Sequence, residues 1–92
     1  MLPNATRKVA NRVLIQLIEA DVDIGFGLVD ETREYRESGH AEFSSRALEN
    51  ALEIVADIER RLQQLNESEA KAFSPLLAEL RNQIAAVKQE SF

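Results

Sequence analysis

The residues of this 92-residue chain best suited to chemistry are its carboxylates. Glu31 and Glu34 stand three apart, which puts them on one face if the segment is helical. Two carboxylates one turn apart can hold Mg²⁺, a cation that takes oxygen ligands and keeps several waters. Glu49, Glu53 and Asp57 follow at spacings of four. Upstream, Asp21-x-Asp23-x-Gly25, with Asp30 and Glu31 beyond, invites comparison with a calcium loop. Such a loop needs Gly at its sixth position and a bidentate Glu at its twelfth. Counted from Asp21, those places hold Phe26 and Thr32, so the match fails twice. Asp21 and Asp23 are expected instead to face solvent or to pair with Arg7, Lys8 or Arg12. His40 is the only histidine. It falls in a predicted turn, where it is expected to be a polar connector. Gly25-Phe26-Gly27 lacks both the third glycine and the Lys-Ser/Thr of phosphate-binding loops. The chain has no Cys, which rules out disulfides and thiolate metal sites and fits a reducing, cytoplasmic setting.

The Glu31–Glu34 pair resembles half of the acidic motif of the all-helical, MazG-type nucleoside triphosphate pyrophosphohydrolases. That resemblance implies a small dimeric enzyme using Mg²⁺ on Glu31, Glu34, Glu53 and Asp57. The family's second half-motif is Glu-x-x-Asp on the next helix. Here Glu53 and Asp57 are four apart, and no Lys or Arg follows at an obvious phosphate-binding spacing. The leading expectation is therefore a solvated acidic helix face, with no catalytic residue, metal site or cofactor. The pyrophosphohydrolase is kept as the alternative.

The elements that would position these residues are helices. Between Phe43 and Leu65, Leu48, Ala51, Val55, Ile58, Leu62 and Leu65 recur at spacings of three and four, one stripe of a 3.6-residue helix. Ala47, Leu52 and Ile54 widen the stripe. Polar residues fill the other side, with Asp57 and Arg61 as an i,i+4 pair. A first helix is expected from about Ala5, with Asn4 or Thr6 as its N-cap, bent near Gly25 and ending at Ser38-Gly39, where Gly suits a left-handed terminating residue. The second helix starts near His40 or Ala41. Asn66, with Glu69 three residues on, resembles a capping box. Ser74-Pro75 is a further start signal, so a lead-in turn at 67–73 is predicted before a helix from Pro75 to Gln89, striped by Phe73, Leu77, Leu80, Ile84 and Val87. Ser91-Phe92 is expected to fray. The alternation of Ala20, Val22, Ile24, Phe26 and Leu28 suggests a strand, but no second strand exists to pair with it. The fold expected is all-α: an antiparallel, up-down bundle of three long helices in one domain, the first bent near Gly25 and the third broken near Pro75.

The hairpin from Leu28 to Leu52 resembles a single tetratricopeptide unit. With Gly39 as the inter-helix glycine, Tyr35 falls on the aromatic four residues earlier, Ala51 and Leu52 on the small-apolar pair, and Ser44 on a position usually filled by Ala. Thr32 replaces the usual Gly, and Leu48 an aromatic. No copy follows at a 34-residue period, so one hairpin plus one helix is more similar to the three-helix microtubule-interacting-and-trafficking domain. Both families bind peptides or helices without catalysis, which implies an interaction module.

Charge and hydropathy narrow the partners. The net charge of −5 argues against nucleic acid, which needs a basic footprint. Residues 1–18 nevertheless carry a net +3, from Arg7, Lys8 and Arg12, and the remainder −8. Those cations are expected to pair with acids in the fold or in a second subunit. No stretch reaches the ~20 apolar residues of a membrane span, and Val13 to Ile18 is too short and too interrupted for a signal peptide. Val13, Leu14, Ile15, Leu17 and Ile18 spread over about 200° of a helix, more than a chain with so few helices can cover. With Phe26 they form the predicted interaction face of a homodimer. A separate protein or peptide partner, including a basic one wrapped by the acidic surface, is the further possibility.

Overall fold

A computed structural model describes residues 4–90 of the chain, with side chains from residue 11 onward. The predicted N-cap candidates Asn4 and Thr6, as side chains, and the expected fraying of Ser91-Phe92 lie outside the described residues. Three helices account for the described chain, with no strand among them: α1 Asn4–Glu37, α2 Ala41–Leu62 and α3 Glu67–Gln89. The all-α, three-helix expectation holds. No described helix is long and apolar enough to cross a membrane.

α1 has 34 residues, about 51 Å at 1.5 Å per residue, and it runs uninterrupted through Gly25 and Gly27. The molecule is 54 Å long, so α1 is its spine. Gly25 has a packing reason. A Cβ at this position would lie 2.8 Å from Leu80 Cδ2, so its absence lets α3 approach α1.

The α1–α2 turn is closed as the sequence suggests. Gly39 has φ +80°, the left-handed conformation that Gly adopts without a Cβ penalty. The His40 N–H donates to the Tyr35 carbonyl and the Gly39 N–H to that of Arg36, the paired bonds of a Schellman terminus. Tyr35 packs against Phe43 across the turn, ring centroids 5.5 Å apart. Below it, the buried Ser44 hydroxyl donates to the Thr32 carbonyl, and the Thr32 hydroxyl to that of Leu28. Further along, Arg61 of α2 pairs with Asp21 of α1. Partners thus descend α1 from Thr32 to Asp21 as they climb α2 from Ser44 to Arg61, the order of an antiparallel hairpin.

That ion pair corrects two expectations. Asp21 is buried rather than solvated, and Arg61 serves it instead of Asp57, which takes Arg60. The i,i+4 geometry within α2 is worth only a few tenths of a kcal/mol. A buried carboxylate left without a partner costs more, so Arg61 turns inward.

α3 departs further from expectation. It is one helix through Pro75, where a turn over 67–73 and a fresh start were predicted. Pro75 removes one backbone donor, at a cost of about 3 kcal/mol in a helix interior. Phe73 and Leu77, buried on either side of it, are worth about 1.5–3 kcal/mol each, and both need helical spacing to reach the core. Packing therefore overrides the local signal, with Pro75 on the exposed side. The true start is Asn66, whose side chain accepts the Glu69 N–H at 2.8 Å. The core collects Ile18, Val22 and Val29 of α1, Ala51, Val55 and Ile58 of α2, and the predicted α3 stripe from Phe73 to Val87.

Candidate interaction face

α1 carries apolar residues on two sides. The inner side holds Ile18, Val22, Gly25, Val29 and Thr32, all buried. On the outer side Val13 is 50%, Leu17 45% and Ile24 51% exposed. Ala20, also exposed, lies between them. The spacing Val13–Leu17–Ala20–Ile24 is four, three, four, that of a coiled-coil seam. At 100° per residue the four fall within about 60° of one another.

α3 does not cover this row. It meets α1 through Leu80 at Gly25, through Glu90 at Arg33, and through the Val87 carbonyl, which accepts from Arg36. Those contacts lie about 130° round the helix from the row. α2 borders the row on one flank. One shallow depression there is lined by Val13, Leu14, Leu17 and Gln64, and another by Tyr35, Phe43, Arg46 and Asn50. Phe43, at the far end of this seam, is also exposed, with the Arg46 guanidinium 6.0 Å from its ring centroid. α2 has 22 residues against 34 in α1, and Gln64 in the α2–α3 turn and Glu69 just past it still border α1 as far back as Asn11.

The predicted interaction set divides under this geometry. Val13 and Leu17 face outward. Ile18 is fully enclosed, and Leu14, Ile15 and Phe26 are half-buried against the core, so these four serve the chain's own packing. The excess breadth of the apolar arc is real, but α3 covers more of it than the small number of helices suggested. Sequence reasoning missed Ile24 and Phe43. Continuing the seam spacing past Leu17 through Ala20 would have found Ile24, which the strand-like alternation of 20–28 obscured.

The carboxylates do not converge. No group of three or more His, Cys, Asp or Glu among the described residues could hold a metal ion. Glu31 and Glu34 sit near the α1–α2 turn. Glu53 and Asp57 lie two to three turns farther down α2, with Asp57 held by Arg60. Asp21 and Asp23 stand in mid-helix, not in a loop. His40 accepts or donates a hydrogen bond with the Ser38 hydroxyl at 2.9 Å and meets Tyr35 edge-on, which ties the turn together.

Fold and face together define a small helical bundle whose longest helix leaves one apolar row unpartnered. Comparison of the chain with family models, curated proteins and solved structures finds no match.

Proposed function

We propose that this chain is a non-enzymatic helical interaction and assembly module that self-associates through the outer row of α1. The observation that carries the reading is the exposure of Val13, Leu17 and Ile24 at seam spacing over three helical turns. Single exposed apolar residues are ordinary on any surface. An ordered row beside an open groove marks a place for another helix.

Magnitudes set the strength. Burying the exposed half of three such side chains is worth about 1 kcal/mol each, or about 6 kcal/mol over two copies. Association costs about 4–15 kcal/mol. The row alone barely offsets the low end of that cost, so the rest of the α1–α2 seam must supply the remainder. Micromolar pairing needs about 12 kcal/mol of gross contact energy against a cost of about 4 kcal/mol.

Sedimentation equilibrium between roughly 1 μM and 1 mM should show mass rising from one chain to two, and the melting temperature should rise with concentration. Leu17→Asp should hold the protein monomeric while leaving its helical circular dichroism unchanged. A wild-type chain that stays monomeric at the highest concentration sinks the reading.

A further inference from the structure

We infer that the two copies pair through α1 in antiparallel orientation, aligned by charge; this rests on the self-association proposed above. Arg12, Asp23, Asp30 and Glu34 fall within about 40° of one another, on the flank of the Val13–Ile24 row away from α2. All four are exposed, and none joins an ion pair among the described residues. This flank therefore runs from positive near the start of α1 to negative along its second half.

The whole helix repeats the asymmetry. The first 18 residues hold three cations and no acid, whereas residues 19–34 hold six acids against the single cation Arg33. Parallel pairing about a two-fold axis would set this flank against the partner's α2 side at the same height, so Arg12 would not meet the partner's Asp23–Glu34 stretch. Antiparallel pairing brings each positive end alongside the partner's Asp23–Glu34 stretch, so both ends of the contact gain. Such complementarity chooses orientation more than it adds affinity. Shape agrees. With the two-fold axis between residues 18 and 19, Val13 lies opposite the partner's Ile24 and Leu17 opposite its Ala20, so the two rows match along their length.

The chain has no Cys, so a single introduced thiol can carry a spin label cleanly. The probe is Glu34→Cys, labelled with a nitroxide and measured by double electron–electron resonance at a concentration where sedimentation shows the dimer. With 1.5 Å per residue, a two-fold axis at or before residue 21 sets the two labels about 40 Å or more apart. Parallel pairing sets them within about 25 Å. Arg12→Glu should weaken the dimer at least about fivefold at low salt, because it reverses two cross-pairs, and wild-type affinity should fall as salt is added. In a parallel dimer Arg12 has no such cross-pair to reverse, so the substitution should leave affinity within about twofold. A long distance with the fivefold loss supports the inference. A short distance in a sedimenting dimer overturns the orientation and leaves self-association standing. A monomer at every concentration overturns both and leaves the row to a different partner.

Discussion

Leu17 and Ile18 are adjacent in sequence and opposite in environment. Ile18 is fully enclosed by α2 and α3, whereas Leu17 is 45% exposed. The contrast runs the length of α1: Gly25 is closed over by Leu80 while a Cβ at Gly27 would meet nothing within 4 Å, and Asp21 is paired inside while Asp23 is exposed outside. The two sides of one helix thus meet different surroundings. The inner side holds the chain together, and the outer side is the one proposed to hold a second copy. Substitutions made in inner–outer pairs separate those uses, because a purely structural helix would show only the first.

The largest effect belongs to Ile18. Ile18→Ala should cost about 3 kcal/mol in urea unfolding, since it removes buried methylenes and leaves a cavity in a packed region. Leu17→Ala, measured at a concentration low enough to keep the chain monomeric, should cost no more than about 0.5 kcal/mol. If Leu17→Ala costs as much as Ile18→Ala in the monomer, the outer row is part of the core and the comparison collapses.

How much of this was legible beforehand follows the range of the physics involved. The stripes of α2 and α3 could be read because their buried residues repeat at helical spacing, from Ala51 to Ile58 and from Phe73 to Val87. The Gly39 terminus and the Asn66 cap could be read because each is a local device spanning a few residues. Pro75 misled because its local start signal competes with the burial of Phe73 and Leu77, which depends on a core assembled from all three helices. Arg61 misled for the same reason, its true partner being 40 residues away. Within the candidate face, the sequence identified an apolar excess on α1 but could not divide it. Which of Val13, Leu14, Ile15, Leu17 and Ile18 turn outward depends on where α3 lands, and that is set by contacts such as Gly25 against Leu80.

The glycines sharpen the contrast because the same substitution should change sign between the two sides. Gly25→Ala drives a methyl toward Leu80, which is fully buried and has little room to move. The resulting overpacking costs about 1–3 kcal/mol, which outweighs the helix-propensity gain of up to about 1 kcal/mol. Gly27→Ala meets open space and should keep that gain, raising monomer stability by about 0.5–1 kcal/mol. Thermal melts of both variants at one low concentration decide it, and a stabilising Gly25→Ala would show that α3 does not approach α1 this closely.

The smallest effect belongs to Asp23, set against its neighbour Asp21. Asp21→Asn keeps the side chain's size and removes its charge, leaving the half-buried Arg61 without its anion; about 1–2 kcal/mol of stability should be lost. Asp23→Asn touches an exposed group with no ion-pair partner among the described residues and should change monomer stability by less than about 0.5 kcal/mol. Its effect should appear in association instead, as a small loss of dimer affinity that vanishes in high salt. Combining each variant with Arg61→Ala makes the point quantitative. The cycle with Asp21 should show coupling, and the cycle with Asp23 should be additive within about 0.5 kcal/mol. Coupling of Arg61 to Asp23 rather than to Asp21 would mean that the inner and outer sides of α1 had been assigned the wrong way round.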